Sequence, residues 1–308
     1  MQLVADIGGT NARLASLEAG RLHTARSYKN AAFQGFDELV TQYLSDTAQT
    51  SPKRLVAAIA GPVQGNEGRL TNLPWHVSGP DMSRRFAGAD VTIVNDLTAL
   101  GYAALDLGAV QLERLAPGLQ GKALRGGRNA LVVGIGTGFN VSPVVESEGQ
   151  RVCPAVEVGH ASLPVAIARK LNGIKPALAD EFQSIESLFS GAGRRKFLSL
   201  VCEQNVERAT PYLAAFGAAE NARFDQALDD YAALVAALLV DLRLTYGPEN
   251  GIFLAGGVAR STLDHGRCRF LQGVFADQAQ FLSGSPAIYL IKDDSAALLG
   301  CAKLCARH

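Results

Sequence analysis

A short apolar strand that runs into a glycine turn occurs twice in this chain, and this repeat constrains the fold more than any other feature. The first copy is residues 4–11 (VADIGGTN), and residues 12–15 resume an extended apolar pattern. Too few residues follow the turn for a crossover helix, so the pattern predicts a tight β-hairpin. The glycines permit positive φ and carry no Cβ that would block a ligand. Successive backbone N–H groups in such a turn form a concavity that suits an anion.

Polar residues of this turn add the chemistry of a phosphate site. Thr10 and Asn11 supply hydrogen-bonding groups, and Asp6 places a carboxylate where a metal ion bound to a phosphate could sit. On one copy alone, a phosphate site and a glycine-rich corner without function explain the pattern equally well. The second copy is residues 131–140 (LVVGIGTGFN), and residues 141–145 form the return strand. Two such units in corresponding parts of two halves predict a duplicated fold whose two loops face one ligand.

The glycine patterns of other nucleotide-binding proteins do not fit this chain. A dinucleotide-binding turn opens a helix and is followed about 20 residues later by an acidic residue. Neither turn here is followed by a helix pattern. A Walker P-loop needs Gly-Lys-Ser/Thr, and that tripeptide is absent from the sequence.

The composition is that of a globular protein with a sizeable core. Of 308 residues, 48% are hydrophobic and 19% are charged, and 29 Lys and Arg residues balance 29 Asp and Glu residues. No basic stripe interleaved with aromatic residues occurs, so we expect no nucleic-acid partner. The longest apolar stretch, residues 231–240, is too short to span a bilayer, and the amino terminus enters a strand at once. We therefore expect neither a membrane span nor a signal peptide. The five cysteines lack metal-ligand spacing and are expected to be reduced, mostly buried thiols of a cytoplasmic protein.

Apolar periodicity predicts alternating strands and helices along the rest of the chain. Helices are expected at residues 36–48, 97–107, 167–171, 185–189, 195–203, 224–246 and 295–306, and strands at residues 55–60, 91–94, 252–255 and 288–291. The polar, Gly-rich residues 118–128 predict a domain boundary, and the only Trp, Trp75, is expected to be a core anchor. Hairpins and crossover helices in two similar halves predict a two-lobed α/β architecture that holds its ligand in a cleft between the lobes.

Several polar residues have both a structural and a functional interpretation. Asp96 ends a buried strand and opens a helix, where an Asp is commonly the N-cap. The same place is where open α/β sheets present groups to a ligand, so Asp96 is also a general-base candidate. Glu157 and His160 are explained as well by a surface Glu and a His satisfied by the backbone. Gly256-Gly257 follows a strand and precedes a helix pattern, which allows a third phosphate or nucleoside contact.

A series of short motifs extends along essentially the whole chain. In order they are Asp6-Ile7-Gly8-Gly9-Thr10-Asn11, Asn72-x-x-Trp75, Asn95-Asp96, Gly136-Thr137-Gly138, Glu157-x-Gly159-His160, Glu186-Ser187-Leu188-Phe189-Ser190-Gly191 and Leu254-Ala255-Gly256-Gly257. In this order they resemble the proteobacterial-type glucokinase family, within the actin-like ATPase/hexokinase superfamily. The resemblance implies a two-lobed actin-like ATPase (ribonuclease H-like) fold with an interdomain cleft. A small α/β domain would comprise residues 1–108 plus 295–308, and a large one residues 109–294.

The resemblance also implies ATP-dependent phosphorylation of a hexose by a cytoplasmic homodimer, with D-glucose and its 6-hydroxyl as the expected substrate. Asp96 matches the catalytic base, and the residues that match sugar ligands are Asn95, Asp96, Glu157, His160 and Glu186. The first phosphate loop corresponds to Gly8, Gly9, Thr10 and Asn11, the second to Gly136, Thr137 and Gly138, and the adenosine motif to Gly256 and Gly257. Asp6 would orient Mg²⁺ through water. Phosphoryl transfer consists chiefly of positioning and charge neutralisation, which such a set of groups supplies.

The chain departs from the family pattern at two positions, since Asn140 and Val158 stand where the family more often has glycine. The Cys-rich zinc motif that repressor-type sugar kinases carry shortly after the equivalent of His160 is absent, which disfavours that neighbouring family. Two alternatives stay open: a kinase for another hexose or an amino sugar, and a sugar-sensing protein that kept the fold without the chemistry. The presence of Asp6, Asp96 and Thr137 counts against the sensor.

Overall fold

The computed structural model describes residues 1–118, 127–204, 218–276 and 286–306. Its strands are β1 (Gln2–Ile7), β2 (Asn11–Glu18), β3 (Arg21–Lys29), β4 (Arg54–Ile59), β5 (Val63–Gln64), β6 (Glu67–Arg69), β7 (His76–Ser78), β8 (Asp90–Asn95), β9 (Leu112–Ala116), β10 (Gly127–Ile135), β11 (Phe139–Ser147), β12 (Gln150–Val152), β13 (Ile252–Ala255) and β14 (Ile288–Ile291). Its α-helices are α1 (Phe36–Asp46), α2 (Gly79–Arg85), α3 (Asp96–Ala104), α4 (Val165–Ile174), α5 (Ile185–Phe189), α6 (Gly191–Cys202), α7 (Ala218–Tyr246), α8 (Gly257–Ala276) and α9 (Ala296–Cys305).

The chain divides into two compact units. The first comprises Met1–Gln111, Arg151–Pro154 and Asp293–His308, and the second comprises Leu112–Gln150 and Ala155–Lys292. The boundaries predicted from the sequence place residues 109–111, 151–154 and 293–294 differently. The predicted boundary at residues 118–128 lies mostly outside the described residues, because 119–126 are not among them.

The first unit is built on a five-stranded sheet with the order β3-β2-β1-β4-β8. β1 forms an antiparallel hairpin with β2 and pairs in parallel with β4, which pairs in parallel with β8. Alternate residues of β1 point to opposite faces, and both faces are covered. Leu3, Ala5 and Ile7 belong to a core cluster with α1 and with Trp75, which is only 4% exposed. The prediction that Trp75 is a core anchor is therefore confirmed.

The opposite face of this sheet is covered by α3 and α9. Val4 and Val56 form a core cluster there with Ala99 of α3 and Cys301 of α9. The two helices approach so closely that a Cβ on Gly300 would lie 1.7 Å from the Ala99 carbonyl oxygen. Small residues at this crossing therefore allow the last helix to fit against α3, and α9 packs on the first unit, as the resemblance implies.

The second unit contains a six-stranded sheet with the order β12-β11-β10-β13-β14-β9. β10 forms an antiparallel hairpin with β11 and pairs in parallel with β13, which pairs in parallel with β14. Helices α7 and α8 pack on each other and contribute Tyr231 and Phe270 to one large core cluster. The order β12-β11-β10-β13-β14 repeats the order β3-β2-β1-β4-β8 strand for strand. This shared topology agrees with the duplication inferred from the two glycine turns.

The strands that the sequence did not predict are short or exposed. β3 lies at a sheet edge and its residues are mostly exposed, so it lacks the apolar alternation by which strands are recognised. β5, β6 and β7 have only two or three residues each and form a separate small sheet. Of the cysteines, which are all free, only Cys268 is exposed, so the prediction of mostly buried thiols is confirmed. Within the described residues, no helix is long and apolar enough to cross a membrane.

Candidate active site

The turn between β1 and β2 is the tight hairpin that the sequence predicts. Ile7 pairs with Ala12, and inside the turn the Gly8 N–H donates to the Asn11 carbonyl at 3.0 Å. The buried Asn30 makes two hydrogen bonds to the turn. Its Nδ2 donates to the Gly8 carbonyl at 2.8 Å, and its N–H donates to the Thr10 carbonyl at 3.0 Å. These contacts leave Thr10 exposed at the tip of a fixed turn.

Close approach, rather than a special backbone conformation, explains the glycines of this turn. Neither Gly8 nor Gly9 has a φ in the left-handed range, so neither uses the positive φ that glycine permits. A Cβ on Gly9 would instead lie 2.9 Å from Nδ2 of Asn72. Asn72 therefore packs against the turn, which gives a structural reason for its place in the motif Asn72-x-x-Trp75.

Asp6 and Asp96 lie at one edge of the first sheet, because the parallel strands β1, β4 and β8 end there. Asp6 is 8% exposed. Burial, and then the negative charge of Asp96, raise its pKa to about 7, although the Arg13 guanidinium opposes this shift. Arg13 lies 3.7 Å from the Asp6 carboxylate and 3.6 Å from that of Asp294. The first unit thus holds a buried carboxylate whose negative charge is only partly balanced.

Asn95, not Asp96, is the N-cap of α3, which corrects the structural interpretation of Asp96. The Asn95 Oδ1 accepts the Leu97 N–H at 2.9 Å, and its Nδ2 donates to the Gly61 carbonyl at 2.9 Å. Asp96 is the first residue of the helix, and its Oδ1 also accepts the Leu97 N–H, at 2.8 Å. Burial raises the pKa of Asp96 to about 6, while hydrogen bonds from Leu97, its own N–H and Asn95 limit the rise. Asp96 is therefore mostly ionised at neutral pH but more basic than a solvated Asp.

The side chain of Glu186 contacts the backbone of the turn between β10 and β11. The Gly136 N–H donates to the Gly138 carbonyl at 3.0 Å, and the Phe139 N–H donates to Oε2 of Glu186 at 2.8 Å. A Cβ on Gly138 would lie 2.6 Å from that same oxygen. Glycine at 138 is therefore what allows Glu186, on α5, to reach the turn. Thr137 is exposed at the tip.

Two helices begin next to this second turn. The Gly191 N–H at the start of α6 donates to the Gly136 carbonyl at 2.8 Å. Gly256, just before α8, has φ +102°, and a Cβ there would lie 2.3 Å from the Ile135 carbonyl oxygen. Gly257 opens α8 with free space around it. The partial positive charge of helix amino termini makes such a place suitable for phosphate.

Residues 156–160 lie against the same hairpin. A Cβ on Gly159 would lie 2.2 Å from the Phe139 carbonyl oxygen, so this glycine brings the loop close to the turn. Asn140 donates to the Glu157 carboxylate at 3.0 Å. Glu157 and His160 are both exposed, and His160 lines a polar pocket of about 570 Å³ with Ser187 and Lys196. The structure thus brings Gly138, Glu157 and Glu186 together around one turn. The pocket that His160 lines includes neither Glu157 nor Glu186.

Sequence reasoning missed the residues that hold these groups in place. Asn30 clamps the first turn, Arg13 bridges two aspartates, and Asn140 contacts the Glu157 loop. Only Asn140 carried a signal, as a departure from the family pattern. The partners of Asn30 and Arg13 are far from them in the sequence or on other elements.

Comparisons with known proteins show the family of the chain. The family model described as Glucokinase matches residues 3–308. The chain belongs to the glucokinase family. A glucokinase relative from Caulobacter vibrioides is 30% identical over 281 residues, which cover 85% of this chain and 81% of that protein. Membership makes the chain a glucokinase-type sugar kinase, so the predicted enzyme class and family are confirmed.

Solved glucokinase structures share the fold. A glucokinase from an Antarctic psychrotroph superposes with a TM-score of 0.79 at 27% identity and covers 99% of this chain and 98% of its own. A ROK family glucokinase from Streptomyces griseus, in complex with glucose and AMPPNP, has a TM-score of 0.56 at 15% identity, with 98% of each chain covered. At that identity the likeness shows the fold alone. The predicted two-lobed actin-like ATPase fold is confirmed.

Proposed function

We propose that this protein transfers the γ-phosphoryl group of ATP to the 6-hydroxyl of D-glucose, with Asp96 as the general base. The observation that carries the proposal is the environment of Asp96. It begins α3 at the carboxyl ends of the parallel strands β1, β4 and β8, where burial raises its pKa to about 6. A carboxylate with this pKa is ionised at neutral pH, and it accepts a proton from a hydroxyl more readily than a solvated Asp.

In this proposal the sugar is held by groups that donate hydrogen bonds to its hydroxyls or accept hydrogen bonds from them. We assign this role to Asn95, Asp96, Glu157, His160 and Glu186. Oε2 of Glu186 is held by the Phe139 N–H, and Oε2 of Glu157 is held by Asn140. No bond to the second oxygen of either glutamate is seen within the described part of the chain, and we assign that oxygen to a sugar hydroxyl. A wrong epimer would leave such groups unpaired, which is how a polar site discriminates between sugars.

ATP would be bound by the backbone of the two turns and by the helix starts beside the second one. Gly8, Gly9, Thr10 and Asn11 offer N–H groups in the first unit, and Gly136, Thr137 and Gly138 offer them in the second. Gly256 and Gly257 would contact the nucleoside. The Streptomyces griseus glucokinase, which shares the fold, binds glucose together with AMPPNP, and this supports the choice of substrates.

The residues around Asp6 fit a magnesium ion. Asp6 is buried, and its pKa is raised by burial and by the charge of Asp96, so a divalent cation nearby would relieve the repulsion between the two carboxylates. No group of three or more His, Cys, Asp or Glu side chains among the described residues forms a metal cluster. That suits Mg²⁺, which keeps waters and uses few carboxylates together with substrate phosphates. When bound, Mg²⁺ would neutralise charge on the transferred phosphoryl group, and Asp6 would orient it through water.

The substitution Asp96→Asn tests the proposal. It keeps the shape of the side chain and removes the base, so we expect kcat for glucose to fall by about 10²–10⁴-fold while ATP binding is retained. The matched control is Asp90→Asn at the other end of β8, where the side chain is 65% exposed and forms an ion pair with the largely buried Arg54. Normal turnover of Asp96→Asn would refute the role of Asp96.

The choice of sugar and the assembly are tested separately. A panel of hexoses and amino sugars, with ADP release as the readout, distinguishes glucose from the alternative substrates, and no ADP release with any sugar would indicate the sensor. The homodimer and the cytoplasmic location stay predictions. Light scattering after size-exclusion chromatography and fractionation of cells address them.

A further inference from the structure

The side chain of Asn140 makes three hydrogen bonds to three consecutive residues of the Glu157 loop. Its Nδ2 donates to the Val156 carbonyl at 2.7 Å and to Oε2 of Glu157 at 3.0 Å, and its Oδ1 accepts the Val158 N–H at 3.1 Å. Asn140 lies on β11, directly opposite Gly134 in the hairpin. The loop is thus attached to the strand that leaves the turn at residues 136–138.

The chemistry of a side-chain amide matches this set of partners. An amide offers two N–H donors on one atom and an accepting oxygen on the other. Here the donors go to a carbonyl and a carboxylate, and the oxygen accepts the Val158 N–H and, at 2.9 Å, the N–H of the neighbouring Val141. A carboxylate at this position would keep the acceptor, lose both donors and repel Glu157. An alanine would lose all three bonds to the loop and also the bond from the Val141 N–H.

We propose that Asn140 is a positioning residue that fixes the Glu157 carboxylate for sugar binding. The inference rests on the proposed function in one respect, namely that Glu157 binds a sugar hydroxyl. The bonds to Val156 and Val158 hold the backbone on both sides of Glu157, and the bond to Oε2 sets the rotation of its carboxylate. With Oε2 held in this way, the second oxygen, Oε1, is oriented before the sugar arrives. Such preorganisation raises affinity because less freedom is lost on binding.

Two variants of Asn140 and one matched control test this role. Asn140→Ala removes the three bonds to the loop together with the bond from the Val141 N–H, and Asn140→Asp keeps the size while placing a second negative charge beside Glu157. The control is Asn129→Ala on the same hairpin. The Asn129 side chain also bonds to backbone, donating to the Gly247 carbonyl at 2.6 Å and accepting the Glu249 N–H at 3.0 Å, but it lies near the opposite end of β10.

We expect Asn140→Ala to raise the KM for glucose about tenfold, equivalent to about 1.4 kcal/mol. The KM for ATP should stay within about twofold, a split that a general loss of folding would not produce. Asn140→Asp should raise the KM for glucose further, because like charges repel. Hydrogen–deuterium exchange of residues 156–158 should be faster in both Asn140 variants and unchanged in Asn129→Ala.

The outcomes separate this inference from the proposed function. If the wild-type enzyme phosphorylates glucose and the Asn140 variants keep its KM, or if Asn129→Ala shifts the KM equally, the positioning role is wrong. If the wild-type enzyme phosphorylates no sugar, the proposed function is wrong. In that case exchange at residues 156–158 and calorimetric titration with glucose still decide the role of Asn140: unchanged exchange and unchanged affinity in Asn140→Ala would overturn it, and faster exchange with weaker binding would support it.

Discussion

Replacing Gly138 with alanine tests the contact that brings Glu186 to the second turn. The added Cβ would lie 2.6 Å from Oε2 of Glu186, whereas ordinary contact begins at 3.4 Å. The carboxylate therefore has to withdraw by about 0.8 Å, and its 2.8 Å bond from the Phe139 N–H lengthens beyond hydrogen-bonding range. Phe139 is 3% exposed, so water does not readily replace the lost partner.

The expected magnitude follows from the type of bond that is lost. A hydrogen bond to a charged group contributes about 1.5–3 kcal/mol, so we expect Gly138→Ala to lower the free energy of unfolding by about that amount. Because the displaced carboxylate is also the proposed sugar ligand, the KM for glucose should rise about tenfold or more. Urea denaturation measures the first effect, and a coupled assay of ADP release at varied glucose measures the second.

The control is Gly173→Ala in α4, where a Cβ meets nothing within 4 Å. Alanine is the better helix former, so this variant should be more stable by up to about 1 kcal/mol and should keep the wild-type KM. Wild-type stability together with wild-type KM in Gly138→Ala would refute the reasoning, because the methyl group would then have displaced nothing of consequence.

Two further predictions concern the first unit. Burial raises the pKa of Asp6 to about 7 and that of Asp96 to about 6, so the folded chain binds these protons more tightly than the unfolded chain does. Their contribution to stability is fully present below about pH 4 and is lost as the pH rises to about 7. Urea titrations should show this loss in the wild-type protein and a smaller one in Asp6→Asn, and an equal loss in both would contradict it. Gly300→Ala would place a Cβ 1.7 Å from the Ala99 carbonyl oxygen. We expect this variant to be less stable by about 1–3 kcal/mol or more and to melt at a lower temperature. An unchanged melting temperature would show that α9 can shift away from α3 without cost.

The strands that position the candidate site could be predicted from the sequence. The apolar strand before Asp6 and the strand before Asn95-Asp96 were predicted within one or two residues, because buried strands read as short apolar runs bounded by polar residues. Parallel pairing through β4 then places both aspartates at one edge. The exception was local: Asn95 was not recognised as the cap of α3, because either Asn or Asp suits that position.

The contacts that hold the site in place could not be predicted in the same way. Asn30 reaches Gly8 across 22 residues, and Asn140 reaches Glu157 across 17 residues. Each contact depends on how a strand end meets a loop, and no local periodicity reports that arrangement. The structural role of these glycines could not be predicted either, since Gly9 and Gly138 leave room for Asn72 and Glu186 and do not adopt positive φ.

The contact between α3 and α9 has a consequence for how the protein matures on the ribosome. The helix that begins with Asp96 is covered by residues translated almost two hundred positions later, after the entire second unit. Until that late segment emerges, the part of this sheet face that α9 covers is bare, and α3 lacks its contact with α9 at Ala99. We therefore expect α3, with Asp96 at its start, to reach its native packing only after both units have been synthesised.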